Sequence, residues 1–182
     1  MHTTCSHKII KVFDDLFDYH HRIAIMEKIS KSPFNFASSY DSELENQHST
    51  WSCFSQLDPN HVDLFFLFNS QLLQEEFKGY TPVRMWVNAA TKDSDFNYHS
   101  DDLVSGYKSM LYYANIKWDV NWDGQTIWRS EDLKNVEFIS DFVPGRVVVF
   151  DSTIPHKAII SSKGAPPFRF TINCVWKKIS DE

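Results

Sequence analysis

The chain has few of the residues that would staple it or carry it through a membrane. Its three cysteines, Cys5, Cys53 and Cys174, are odd in number and lack the paired spacing of a metal finger. They read as free thiols in a reducing, cytoplasmic compartment, not as a disulfide framework. No apolar run approaches the roughly 20 residues that span a bilayer, so no membrane partner is expected. The start, Met-His-Thr-Thr-Cys-Ser-His, has no charged stretch followed by an apolar one and so no visible signal peptide. Positive charge is short as well. The 18 Lys and Arg face 24 Asp and Glu, a net −6, which argues against an overall electrostatic grip on nucleic acid. There is no internal repeat and no low-complexity segment.

What is present is aromatic. Phe, Trp and Tyr make up 15% of the 182 residues, with 15 Phe and 6 Trp, and such side chains suit strands and two-layer β cores. The length favours one domain. Residues 8–13 read as a first strand. Residues 14–31 place Leu16, Phe17, Ile23, Met26 and Ile29 close to helical spacing, and Pro33 fits the end of that helix. Residues 37–50, rich in Ser, Asp, Glu and Asn, read as a loop or a lid. A second helix opens near Asp58-Pro59, with Phe65, Phe68, Leu72, Leu73 and Phe77 as its buried stripe and Gly79 as its stop.

Beyond Pro82 the texture turns to β. Strands are expected over 83–89, 109–116, 126–128, 136–140, 147–150 and 168–176, with a polar turn over 92–97, a loop over 118–124 and a turn at Pro144-Gly145. Short strands following two helices predict an α+β, mainly β, chain: a double-stranded β-helix, or jelly roll, with the N-terminal helices packed on one sheet. Residues 1–182 are then a single domain, 1–80 the helical support and 81–178 the jelly-roll core.

The chemistry sits in the β half. His99-Ser100-Asp101 puts an imidazole and a carboxylate two residues apart, on one side of a strand if the segment is extended. His156 follows a probable strand and turn at Pro144-Gly-Arg-Val-Val-Val-Phe-Asp151, which brings it to a sheet rim. Two imidazoles and one carboxylate, with open positions opposite them, form the facial triad of non-heme Fe(II) oxygenases, although the same donors suit Zn(II) and Mn(II). Read singly, His99-x-Asp101 is a solvated loop and His156 a capping or core histidine; the conjunction favours a metal. The other six histidines, His2, His7, His20, His21, His48 and His61, lie in the first third of the chain and read as solvated or packing residues. Arg169 shares its strand face with Thr171, while Phe168 and Phe170 point the other way. A guanidinium directed inward needs an anion: a bound carboxylate, or one of the chain's own acids in a structural ion pair.

From about residue 83 to 176 these motifs resemble the prolyl 4-hydroxylase-like branch of the Fe(II)/2-oxoglutarate-dependent oxygenases. His99-x-Asp101, His156 and Arg169-x-Thr171 resemble the HxD…H…RxS/T order of that family. Ser109-Met-Leu-Tyr-Tyr-Ala-Asn115 resembles the strand that reads IYYLN in the hypoxia-inducible-factor prolyl hydroxylases. Trp118-Asp-Val-Asn-Trp-Asp-Gly-Gln-Thr126 resembles the family's WxxxWGGET segment, with Asp123 in place of the first Gly and Gln125 in place of the Glu. The resemblance implies that His99, Asp101 and His156 hold Fe(II). It implies that the far carboxylate of 2-oxoglutarate meets Arg169, Tyr113 and Thr171, with Thr126 lining the pocket and Asn88 touching the head of the molecule. It implies a dioxygenase using Fe(II), 2-oxoglutarate as co-substrate and O2, with ascorbate as an optional addition. The reaction releases succinate and CO2 and oxidises a substrate C–H bond, which Asp101 directs toward hydroxylation rather than halogenation. A prolyl residue in a peptide or protein is the favoured substrate, ahead of a small molecule. Trp86, Trp118, Trp122 and Trp128 read either as an aromatic wall for it or as core and rim packing. The competing expectations are a non-catalytic jelly-roll binding protein that keeps the ligands, and a zinc hydrolase on another fold.

Overall fold

The computed structural model describes residues 9–41, 46–55, 71–94 and 96–179, and for 35–41, 46–55 and 71–72 it describes the backbone alone. Two antiparallel sheets carry the fold. The larger has seven strands in the order β1-β8-β5-β10-β4-β3-β2, and the smaller has three, β7-β6-β9. The strands are β1 (Ile10–Phe13), β2 (Asn35–Asp41), β3 (Asn46–Ser55), β4 (Tyr80–Ala90), β5 (Tyr107–Tyr113), β6 (Thr126–Arg129), β7 (Val136–Ser140), β8 (Val147–Asp151), β9 (His156–Ala158) and β10 (Arg169–Lys178). This is the jelly roll expected from the strand pattern, with helices α1 (Tyr19–Lys31) and α2 (Gln71–Glu76) on the large sheet.

Helix α1 begins later than position 14, for a local reason. Asp18 is its N-cap, its Oδ1 accepting from the His21 N–H at 2.8 Å, and Asp15 just before it has a φ of 57° that no helix continues. Ile25 and Ile29, four apart and fully buried, turn one face to the sheet. Lys28 and Lys31 oppose the dipole in the last turn, and the chain leaves through Ser32 and Pro33. Of the expected second helix, Asp58, Pro59, Phe65 and Phe68 lie outside the described residues. The described part ends as expected: Leu73 and Phe77 are buried, and Gly79 turns out of the helix with a φ of +77°.

The loop expected over 37–50 is instead part of a hairpin. β2 and β3 pair from Asn35 opposite Ser52 to Asp41 opposite Asn46, and β3 extends the large sheet beside β4. Polar composition hid it, because β2 is the edge of the sheet and a strand there does not need an apolar face on both sides. β4 also starts earlier than position 83 and contains Pro82. Proline has no N–H for the ladder, and the register against β10 shifts between Val175 and Trp176, at the residues facing it.

Alternation along the strands divides the large sheet into two faces. Met85, Val87, Met110, Tyr112, Val147, Val149, Ile172 and Cys174 face the helices and join Ile25, Ile29, Leu73 and Phe77 in one core. Leu111, Tyr113, Val148 and Phe150 face the small sheet and pack with Trp128, Phe142 and Ile154 in a second. Cys174 is a buried free thiol, its pKa pushed up by desolvation. Among the described residues, no helix is long and apolar enough to cross a membrane.

Candidate metal and co-substrate site

Between the sheets lies a cavity lined by Trp86, Asn88, Ala90, Phe96, His99, Leu111, Thr126, His156, Ala158, Arg169, Thr171 and Asn173. The large sheet contributes three cross-strand rows to it. Ala90 stands opposite Arg169, Asn88 opposite Thr171, and Trp86 opposite Asn173, with Tyr113 and Leu111 continuing the second and third rows on β5.

At one end, His99, Asp101 and His156 converge, their ligand atoms all within 4.8 Å of one another. His99 and Asp101 do not share a strand. His99 forms an isolated bridge with His156, its N–H donating to the His156 carbonyl at 3.1 Å and receiving the reverse bond at 2.8 Å. Asp101 follows in an irregular bend, where Ser100 Oγ donates to the Thr153 carbonyl at 3.0 Å and the Asp102 N–H to the Ser152 carbonyl at 3.1 Å. The two imidazoles are oriented alike. His99 Nδ1 lies 3.1 Å from the Asn97 carbonyl and His156 Nδ1 3.0 Å from the Ile154 carbonyl. With the proton on Nδ1 donated to those carbonyls, Nε2 of each ring would be the atom that offers its lone pair to a metal. The Nε2 atoms stand 4.0 Å (His99) and 3.9 Å (His156) from the Asp101 oxygens. Desolvation, and then the neighbouring His156, hold the His99 imidazole below its ordinary pKa, against the pull of Asp101. A neutral ring is the form a metal needs. Trp128 stacks beside His156 at 6.1 Å and Phe150 meets it edge-on at 4.8 Å.

The donor set fits a divalent ion. The Asp101 side chain is only 2% exposed, and its Oδ2 is sealed from solvent with no hydrogen-bond donor. A carboxylate so buried calls for a cation beside it. Donor atoms about 2.1 Å from one ion and on one side of it lie about 3.0 to 3.4 Å apart, so the 4.0 and 3.9 Å nitrogen–oxygen separations here close on an ion with small side-chain rotations.

At the other end Arg169 is 3% exposed, and its Nε donates to the Gly124 carbonyl at 2.9 Å and its Nη2 to Thr126 Oγ1 at 3.1 Å. Tyr113 Oη also donates to Thr126 Oγ1, at 3.0 Å. The guanidinium lies 5.6 Å from the Tyr113 ring and 5.1 Å from that of Phe142. Burial lowers the Arg169 pKa to about 10, with Tyr113 acting the other way, so the group stays charged at neutral pH. No carboxylate among the described residues pairs with it, so the structural ion pair weighed from the sequence is not formed there. Gly124 allows this approach: a Cβ there would lie 3.0 Å from the Trp118 ring and 3.5 Å from Arg169 Nε, and its φ is +86°. Asp123, at the first Gly position of the WxxxWGGET pattern that the segment resembles, adopts a φ of 57°, a left-handed turn made by a non-glycine residue.

The four tryptophans separate. Trp86 lines the cavity; Trp128 is fully buried core; Trp118 packs on Phe142 at 4.2 Å and on Trp122 at 5.7 Å. Asn173, Phe96 and Leu111 were not singled out from the sequence. Asn173 has the parity of Arg169 and Thr171 along β10, and that signal was there to be used.

This architecture is the fold of the 2-oxoglutarate- and Fe(II)-dependent oxygenases. The chain is similar to a prolyl-4-hydroxylase of Pseudomonas putida, at 16% identity and a TM-score of 0.63, over 97% of this chain and 95% of that one. It is similar to a 2OG-Fe(II) oxygenase family oxidoreductase of Burkholderia pseudomallei, at 15% identity and a TM-score of 0.68, over 93% and 85%. A prolyl hydroxylase of Trichoplax adhaerens, solved with a hypoxia-inducible-factor peptide fragment, matches at 13% identity and a TM-score of 0.68, over 93% and 83%. No protein-family model and no curated protein matches the sequence.

Proposed function

We propose that residues 1–182 form one Fe(II)- and 2-oxoglutarate-dependent dioxygenase domain that hydroxylates a C–H bond, with a prolyl residue of a peptide or protein as the favoured substrate. One observation carries this reading. The His99 and His156 end of one cavity adjoins the Asp101 carboxylate, whose Oδ2 is buried without a hydrogen-bond donor, and the same cavity holds the buried Arg169 guanidinium, with which no carboxylate among the described residues pairs. A metal at the first and a dicarboxylate reaching the second would answer both needs at once. The prolyl preference rests on the relatives of the same fold, two of which are prolyl hydroxylases. The buried free thiol of Cys174 supports a reducing compartment.

When bound, the iron supplies the activation of O2 and the oxidising power for the C–H bond. The chain's own residues do the rest. His99 and His156 would offer Nε2 to the metal, with each Nδ1 proton donated to the backbone carbonyl beside it. Asp101 adds the negative charge. Arg169 fixes the far carboxylate, and the Thr126 hydroxyl, already accepting from Arg169 and Tyr113, has its own proton left to donate. Thr171, Asn88 and Tyr113 complete the co-substrate end. Trp128 and Phe150 keep water from the inner side of His156.

The deciding experiment is succinate release from 2-oxoglutarate under air with Fe(II), with and without ascorbate. Release that disappears in Asp101→Ala supports the enzyme. Binding of Mn(II) and 2-oxoglutarate, seen as a raised melting temperature without any succinate, would favour the non-catalytic binding protein. A zinc hydrolase would need a general base at the metal, and among the described residues the cavity lining includes no carboxylate to act as one.

A further inference from the structure

We propose that Arg84 is a positioning residue that holds the carboxylate ligand Asp101 and ties it to the pocket wall. The proposal rests on the metal reading above and extends it to a residue outside the motifs. Arg84 lies on β4 at the parity of Trp86 and Asn88, opposite Val175, where the sheet register shifts. Its Nη2 donates to the backbone carbonyl of Asp101, and its guanidinium lies 5.6 Å from the Trp86 ring.

The position of that bond matters. On either side of Asp101 the segment is tied to the sheets: His99 by its two backbone bonds to His156, Ser100 through its hydroxyl, and Asp102 through its N–H. Among the described residues, the Asp101 backbone takes its hydrogen bond from Arg84. Asp101 sits in a bend and has no ladder to set its peptide plane. The planar Arg84 fork supplies that restraint. It reaches the carbonyl with one amino group while its flat face rests on Trp86, an arrangement a lysine ammonium reproduces only in part. Because Trp86 also lines the cavity, the same guanidinium links the wall of the pocket to the ligand segment. Arg84 itself is exposed, so its removal leaves both apolar cores intact.

The test is Mn(II) affinity measured by electron paramagnetic resonance on the full chain, alongside melting temperature and amide exchange of residues 99–104 in metal-free protein. Arg84→Ala should weaken Mn(II) binding about 10- to 100-fold, the usual effect of losing a group that orients a ligand. The metal-free melting temperature should stay within about 2 °C of the parent, as for a surface substitution. Arg84→Lys should recover part of the affinity, and Trp86→Leu, which keeps the hydrogen bond and removes the platform, should lose less than Arg84→Ala. Exchange at 99–104 should accelerate in Arg84→Ala without any metal. Mn(II) affinity within twofold of the parent, or unchanged exchange, would overturn the role of Arg84. A parent protein that binds no Mn(II) would overturn the metal reading instead, and the metal-free exchange would still decide whether Arg84 restrains the segment.

Discussion

The two faces of the seven-stranded sheet are built to different rules, although the same strands supply both. Toward the helices, β4, β5, β8 and β10 present Met85, Val87, Met110, Tyr112, Val147, Val149, Ile172 and Cys174, an almost wholly apolar surface. Toward the small sheet, β4 and β10 present Trp86 and Asn88, half-buried, and Arg169, Thr171 and Asn173, buried, a face rich in hydrogen-bonding groups. Burial without partners destabilises. A chain that keeps such a face has another use for it, and local rules of packing give way where ligands bind. One face stabilises the fold and the other spends part of that stability on a site.

This contrast can be broken most sharply at the ligands. Substituting His156 by Ala should reduce metal-dependent succinate formation by about a thousandfold or more, in keeping with the several kcal/mol a metal contributes. Its effect on melting should be modest in the metal-free protein. Full turnover in that variant, assayed by succinate release, would remove His156 from the site. Next comes Arg169→Met. It should raise the 2-oxoglutarate requirement about 10- to 100-fold, the worth of a charge-assisted pair, with the iron requirement unchanged. Because no carboxylate among the described residues pairs with the buried native guanidinium, the same variant should melt no lower than the parent when ligands are absent, as seen by calorimetry. On the opposite face, Ile172→Ala should cost about 2–5 kcal/mol in urea unfolding, while the folded fraction binds metal and 2-oxoglutarate with parental affinity.

The smallest effects lie at the periphery. Arg146 donates two hydrogen bonds to Asp14, at 2.7 and 2.9 Å, and holds its carboxyl below the usual range. Burial works to raise the Glu76 pKa, but bonds from Lys108 and Lys11 outweigh it and leave the value lowered. A lowered folded pKa contributes stability that is present above the unfolded value and lost as pH falls through the folded one. An acid titration should therefore show stability falling below about pH 4.5, the ordinary glutamate value, and Glu76→Gln should flatten part of that fall. For the more exposed Asp14–Arg146 pair the change should not exceed about 1 kcal/mol.

The sequence made much of this legible because the decisive residues sit at positions with short-range meaning. Parity placed Thr171 on the Arg169 side of β10, and apolar alternation located β4 to β8 and β10 within a few residues. The misses have physical causes. β2 and β3 are too polar to signal a buried face, and β9 has only three residues, too few to show a period. The joining of His99 to His156 depends on backbone bonds between segments 57 positions apart, which side-chain chemistry alone does not encode. Arg84 carries no motif at all. Its role emerges from which carbonyl happens to lie above β4, a matter of tertiary placement.

The reciprocal backbone bonds between His99 and His156 hold the two histidine backbones side by side within the fold. The entropy of gathering that pair is lost once, during folding, and not again at each loading. An ion held there would find its two imidazole donors already brought together from positions far apart in the chain.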